Sequence, residues 1–141
     1  MILCGQKQIV GDWVAQKIGN KTPWHLYEAI GIIQDGEIVG GAVIDSYVFE
    51  ARCSVHCALS SGNAISREFL FAVFDYIFRQ LKCNAVINIV DGNNHKSIRF
   101  TKHIGFTEFH RIKGGSYNGS DAVMFEMQKK DCRWIKGYKN E

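Results

Sequence analysis

The sequence predicts an α/β fold in which helices flank a mixed central sheet, and three observations predict it. An Asp-Gly dipeptide joins two long segments that are rich in β-branched and aromatic residues. An amphipathic helical segment then leads into a short, almost wholly apolar segment, which is typical of a strand in a covered parallel pair. The 141 residues contain no internal repeat and no linker, so we expect one domain spanning 1–141.

The N-terminal half predicts a helix followed by a hairpin. Apolar residues at near-helical spacing predict a helix over 9–18, which Gly19-Asn20 would end. Segments 27–33 and 38–49 then read as two strands, and Asp35-Gly36 between them supplies the positive φ angles of a tight turn.

A third strand is predicted over 52–59, because apolar and polar residues alternate there. One face would carry Cys53, Val55, Cys57 and Leu59, and the other Ser54, His56 and Ala58. A Cys53-x-x-His56-Cys57 metal site is therefore not expected, since His56 points away from both cysteines and a fourth ligand is missing. Cys57 is interpreted as a packing residue rather than a nucleophile.

The C-terminal half predicts two more helices and three more strands. Ser66 is a suitable N-cap for a helix reaching about Leu81, with an apolar stripe at 3–4 residue spacing. A second helix would run from Asn94 to Gly105, a natural C-cap glycine. The strands are predicted at 85–90, 106–112 and 122–127.

Composition and charge exclude several classes of protein. Hydrophobic residues make up 46% and charged residues 22%, which excludes a disordered chain. The net charge of +3 is too small to argue for nucleic acid as a partner. The five cysteines, an odd number, suggest reduced thiols. With no signal-like start and no long apolar run, we expect a cytoplasmic protein without a membrane partner.

The loop before the first C-terminal helix has the composition of an anion site. Ser61 to Ser66 carries small side chains, and it enters a helix N-terminus whose backbone N–H groups lack partners. Arg67 follows at once and could add a charge-assisted contact. The alternative is an ordinary capped turn with a solvated arginine.

The segment Asn94-x-x-Ser97 through Gly105-Phe106, placed after an apolar strand, resembles the second half of the GNAT superfamily of N-acetyltransferases. The resemblance covers roughly residues 9–130 in element order. Segments 106–111 and 131–134 are similar to the branch with phage-encoded and ribosomal-protein N-terminal acetyltransferases. The resemblance implies a transferase that takes acetyl-CoA as cosubstrate and passes the acetyl group directly to a primary amine of a protein or small molecule.

The resemblance also implies which residues bind acetyl-CoA. Its pantetheine arm would pair with the third strand, and its pyrophosphate would lie on a loop that departs from the family pattern at its first, fourth and sixth positions. The residues implied are Val55, His56, Cys57, Gly62, Asn63, Ala64, Ile65, Ser66, Arg67, Asn94, Ser97 and Phe100.

Two residues are candidates for proton transfer. His56 lies beside the expected thioester, and imidazole in general has its ordinary pKa near neutrality, as a base requires. A structural histidine is the plain alternative, and Asp45 and Glu50 are weaker candidates. Thr101 occupies the position where many family members have an acidic tyrosine. Tyr117, in the loop before the last strand, is the proposed replacement. The segment starting at Trp24 either lines the acceptor pocket or packs.

Two other functions stay open. A non-catalytic acyl-CoA-binding module would explain Thr101 and the degenerate loop. A tRNA-directed GNAT toxin would use the basic residues Lys96, Arg99, Lys102, Arg111 and Lys113. Segment 129–141 could pack on a second copy in a homodimer, or it could lie free.

Overall fold

Seven strands form one sheet in the computed structural model, which describes residues 1–61 and 65–136. The strands are β1 (Ile2–Leu3), β2 (Glu28–Gln34), β3 (Glu37–Val48), β4 (Arg52–Leu59), β5 (Ala85–Asp91), β6 (Thr107–Ile112) and β7 (Ala122–Gln128). The helices are α1 (Lys7–Ile18), α2 (Arg67–Asp75) and α3 (His95–Ile104). None of the helices in the described ranges combines the length and apolarity needed to cross a membrane.

The predicted hairpin is confirmed. β2 and β3 pair in antiparallel register up to Gln34 opposite Glu37, and the two residues between them have φ angles of 53° at Asp35 and 80° at Gly36. Both angles are positive, as a two-residue turn of this hand requires.

The strands lie in the order β1-β2-β3-β4-β5-β7-β6, and only β4 and β5 are parallel. The predicted parallel pair and its connecting helix are therefore confirmed. β1 was not predicted, because a strand of two residues carries no readable pattern.

α2 begins where the sequence predicts, with the Ser66 hydroxyl accepting a hydrogen bond from the Phe69 N–H at 3.1 Å. The last part of the predicted helix, after α2, has a different geometry. Tyr76 to Gln80 forms a π-helical turn, in which the Leu81 N–H bonds the Tyr76 carbonyl at 2.8 Å. The turn stays on the apolar stripe, since Ile77 and Phe78 are fully buried.

The two faces of the sheet carry cores of different size. The larger core packs α2 and α3 against the sheet and includes Val55, Phe74 and Phe125. The smaller core packs α1 against the N-terminal strands and consists of Val10, Val14, Ala29, Val43 and Ala58. The alternation predicted for β4 is confirmed, because Cys53 and Val55 join the larger core and Ala58 the smaller.

Glycines let α1 lie close to the sheet. A Cβ atom built on Gly31 would come within 2.9 Å of Val10 Cγ2, and one on Gly41 within 2.9 Å of Val14 Cγ2. Real Cβ atoms do not approach so closely. The missing methyl groups therefore set the distance between helix and sheet.

We expect Gly41→Ala to destabilise the protein by about 1–3 kcal/mol, because α1 must move away from β3. Urea unfolding measures the change. In the double variant Gly41→Ala/Val14→Ala the new methyl group occupies space that the valine has left, so the double should be more stable than the two single losses predict. Strict additivity would contradict the steric explanation.

Candidate active site

The site is a gap between two parallel strands. β4 and β5 pair only at Arg52, Cys53 and Ser54, opposite Ala85, Val86 and Ile87. Beyond Ser54 both strands continue without pairing, while β4 keeps its partner β3 and β5 keeps its partner β7. The sheet therefore opens in a V, and alternate backbone N–H and C=O groups of 55–59 face into it.

A cavity of about 190 Å³ occupies the V. Strands β4 and β5, helices α2 and α3 and the end of α1 contribute to its walls. Among its lining residues are Ile18, Gly19, Trp24, Val55, His56, Cys57, Asn88, Asp91, Asn94, Ser97, Phe100, Thr101 and Tyr117. We call this space the inner cavity.

A second cavity of about 240 Å³ adjoins it at the open end of the V. The two spaces lie next to each other, because five residues line both: Ile18, Cys57, Asn94, Ser97 and Phe100. This outer cavity is lined in addition by Lys17, Ala58, Leu59, Ser61 and Lys96. Together they form one channel, which runs from the dyad described next to the loop that follows β4.

His56 and Asp45 form a hydrogen-bonded dyad beside the inner cavity. The imidazole Nε2 lies 2.8 Å from Asp45 Oδ1, and the His56 and Asp45 side chains are only 23% and 16% exposed. A carboxylate can only accept, so Nε2 carries a proton, and in the neutral form of the ring Nδ1 has the lone pair. The register explains the contact, because Asp45 and His56 share a sheet face on neighbouring strands, where Asp45 pairs with Ser54.

The Trp24 ring packs against the imidazole ring of His56. Its ring centroid lies 4.9 Å from that of His56, at an interplanar angle of 45°. The indole N–H donates to the Gly11 carbonyl at 2.9 Å and so ties the loop to α1. Trp24 therefore both packs and lines the cavity, whereas the sequence left these two roles as alternatives.

The thiol of Cys57 lies on the channel but is not poised for chemistry. Burial raises its pKa to about 12, so the thiol stays protonated at neutral pH. Among the described residues no group of three potential ligands could hold a metal ion.

The N-terminus of α3 presents polar groups to the channel. Asn94 Oδ1 accepts a hydrogen bond from the Ser97 N–H at 3.1 Å and so caps the helix. The amide nitrogen of Asn94 makes no hydrogen bond to any residue that the structure describes. Phe100, one turn further on, supplies an apolar wall.

Thr101 and Asn88 form a buried polar pair on the cavity wall. The Asn88 amide donates to Thr101 Oγ1 at 3.3 Å, and the two residues are 9% and 1% exposed. Asn88 was not singled out from the sequence. The available indication was an amide within the otherwise apolar run Ala85 to Val90.

Tyr117 reaches the cavity from the loop between β6 and β7 and meets the end of α1. A Cβ atom on Gly19 would lie 2.6 Å from the Tyr117 hydroxyl, and Gly19 has a φ of +71°. Tyr117 is 66% exposed, so one of its sides remains in contact with solvent.

The predicted phosphate loop is only partly visible. Gly62, Asn63 and Ala64 lie outside the described residues. Ile65, Ser66 and Arg67 line neither cavity, and the Arg67 guanidinium donates to the Lys136 carbonyl at 3.4 Å. By contrast, the other predicted cofactor residues and both proton-transfer candidates converge on the channel: Val55, His56, Cys57, Asn94, Ser97, Phe100 and Tyr117.

We expect Thr101→Val to lower the free energy of unfolding by about 1–3 kcal/mol, because it leaves the buried Asn88 amide without its acceptor. Thr107→Val on the exposed edge strand β6 is the matched control and should change stability by less than about 0.5 kcal/mol. Chemical denaturation of both variants makes the comparison. Equal losses would show that the buried hydrogen bond contributes nothing.

No protein-family model matches the chain, and no curated protein matches it. Spermidine/spermine N-acetyltransferase SpeG from Vibrio cholerae is 11% identical, with a TM-score of 0.73 over 92% of each chain. The ribosomal-protein-S18-alanine N-acetyltransferase from Escherichia coli is 15% identical, with a TM-score of 0.69 over 91% of this chain and 92% of that one.

A third solved structure, described as a probable acetyltransferase, is 21% identical with a TM-score of 0.65. The match covers 89% of this chain and 71% of that one. At such identities the likeness concerns the path of the backbone. The mixed sheet predicted from the sequence is confirmed, and the chain has the fold of the GNAT N-acetyltransferases.

Proposed function

We propose that this protein is an acetyl-CoA-dependent N-acetyltransferase that acts on a primary amine by direct transfer in a ternary complex. One observation carries the proposal: the channel in the V has a His–Asp dyad at its inner end and runs out toward the loop after β4. Such a channel can hold a long thioester with its reactive carbon beside a base. The similar solved structures are N-acetyltransferases, which supports acetyl transfer. Their names specify different amines, spermidine or spermine in one case and the alanine of ribosomal protein S18 in the other.

The channel suits acetyl-CoA in its chemistry. The unpaired edge of β4 at Val55, His56 and Cys57 offers backbone partners to the amides of pantetheine. The Asn94 amide and the Ser97 side chain offer further polar contacts, and Phe100 offers an apolar one. The resemblance would place the pyrophosphate at the loop after β4, of which Ser61 lines the outer cavity.

The proposed reaction forms one bond and breaks another. The nitrogen of a neutral amine attacks the thioester carbon, and the C–S bond breaks to release the CoA thiolate. His56 accepts the amine proton at Nδ1, and Asp45 holds the ring and stabilises the imidazolium. Backbone N–H groups that face into the V polarise the carbonyl.

Tyr117 is the proposed proton donor to the departing thiolate. It lines the inner cavity, whereas the Thr101 hydroxyl is a very weak acid and accepts from Asn88. The low intrinsic basicity of a thiolate makes this donor less important than the base.

The acceptor is proposed as a primary amine of a protein, at an N-terminus or lysine, or of a small molecule. The cytoplasm is the proposed compartment, and all five cysteines are free thiols, as a reducing compartment favours. A single domain over 1–141 is part of this proposal.

The first test is binding of acetyl-CoA by calorimetry, followed by a screen of amines for release of free CoA thiol. We expect micromolar binding, weakened by Asn94→Ala, and turnover with at least one amine. Asn84→Ala, at an exposed position just before β5 that lines neither cavity, is the control. Binding without turnover for any amine would favour the non-catalytic module, and no binding at all would refute the proposal.

A second test addresses the dyad. His56→Ala should lower kcat by about 10²–10⁴-fold, the range of general base catalysis, and Asp45→Asn by a smaller factor. Because Asp45 acts through His56, Asp45→Asn should cost little more in a His56→Ala background. Independent, multiplicative losses would mean that the two residues do not act as a unit.

A further inference from the structure

Two lysines line the outer cavity from different elements. Lys17 belongs to the last turn of α1, and Lys96 belongs to the first turn of α3. The other described residues of this cavity are apolar or uncharged, so no acidic side chain balances the two cations there.

Neither lysine is neutralised elsewhere. Neither forms an ion pair with a residue in the described ranges. Lys17 Nζ lies 5.4 Å from the ring centroid of Trp13 on its own helix, a contact that does not neutralise the charge of the ammonium group.

Lys96 is in a position that is unfavourable for the isolated helix. A helix N-terminus carries partial positive charge and favours acidic side chains, but α3 has none in its first turn. The fully charged side chains of α3 are all basic: Lys96, Arg99 and Lys102. An anion in the outer cavity would offset this repulsion.

We propose that Lys17 and Lys96 together bind a phosphate group at the nucleotide end of the acyl donor. The inference rests on the proposed function and adds a phosphate contact from α1 and α3, outside the loop that follows β4. That loop begins with Ser61 rather than a basic residue, and Arg67 donates to the Lys136 carbonyl. The cations facing the channel therefore come from its other walls.

The experiment combines variants with truncated ligands. Lys17→Met and Lys96→Met keep the aliphatic stem and remove the charge, and Lys102→Met on the same helix, outside the cavity lining, is the control. Dissociation constants are measured by calorimetry or competition for CoA, 3′-dephospho-CoA and pantetheine, so that no readout depends on turnover.

We expect each channel variant to weaken CoA binding by about tenfold, as for a charge-assisted hydrogen bond, while Lys102→Met changes it by less than about twofold. For pantetheine, which has no phosphate, the variants should bind like the wild type. If the ratio of variant to wild type falls to one with 3′-dephospho-CoA, the lysines bind the 3′-phosphate. If it persists there, they bind the pyrophosphate.

Two results would overturn the inference and leave the proposed function standing. One is unchanged CoA affinity in both variants. The other is an equal loss for pantetheine, which would show a packing effect instead of a phosphate contact. Failure of the wild type to bind CoA would remove both proposals. Thermal unfolding of the ligand-free proteins is measured as well. Because Lys96 is unfavourable at the N-terminus of α3, Lys96→Met should not lower the unfolding temperature.

Discussion

The loss of pairing between β4 and β5 after Ser54 and Ile87 is the constraint on which the rest of the site depends. β4 stays paired with β3, and β5 stays paired with β7. The gap therefore leaves the strand pairing within each half of the sheet intact. The larger core spans both halves, because residues of β4, β5 and β7 all pack against α2 and α3. The cleft and its free backbone groups therefore lie on a continuous apolar core.

The functional groups on the two strands take their positions from that gap. His56 is the second residue of β4 beyond the last pair, and Asn88 is the first residue of β5 beyond it. The end of α1 and the start of α3 meet the channel from different sides, which brings together residues that are far apart in the chain. The dyad thus lies at the inner end of the channel, and the two lysines lie at its outer end.

Local patterns predicted most of the fold and part of the site. The Asp35-Gly36 turn, the Ser66 cap and the alternation along β4 depend on neighbouring residues, and sequence spacing expresses them directly. The Asp45–His56 contact depends on the register between two strands, and the sequence offered Asp45 only as a weaker candidate. Lys17 was not singled out, because its place at the channel depends on how α1 lies over the sheet. The Trp24 ring likewise gains its role from tertiary packing on His56.

Val10 and Val14 rest on Gly31 and Gly41, and Ile18 continues the same stripe of α1 one turn later, at the wall of the channel. The spacing of four residues keeps all three side chains on one side of the helix. The distance of α1 from the sheet therefore also sets the position of Ile18 at the channel wall. Two glycines on the sheet thus act on the wall of the site through a helix, without lining the site themselves.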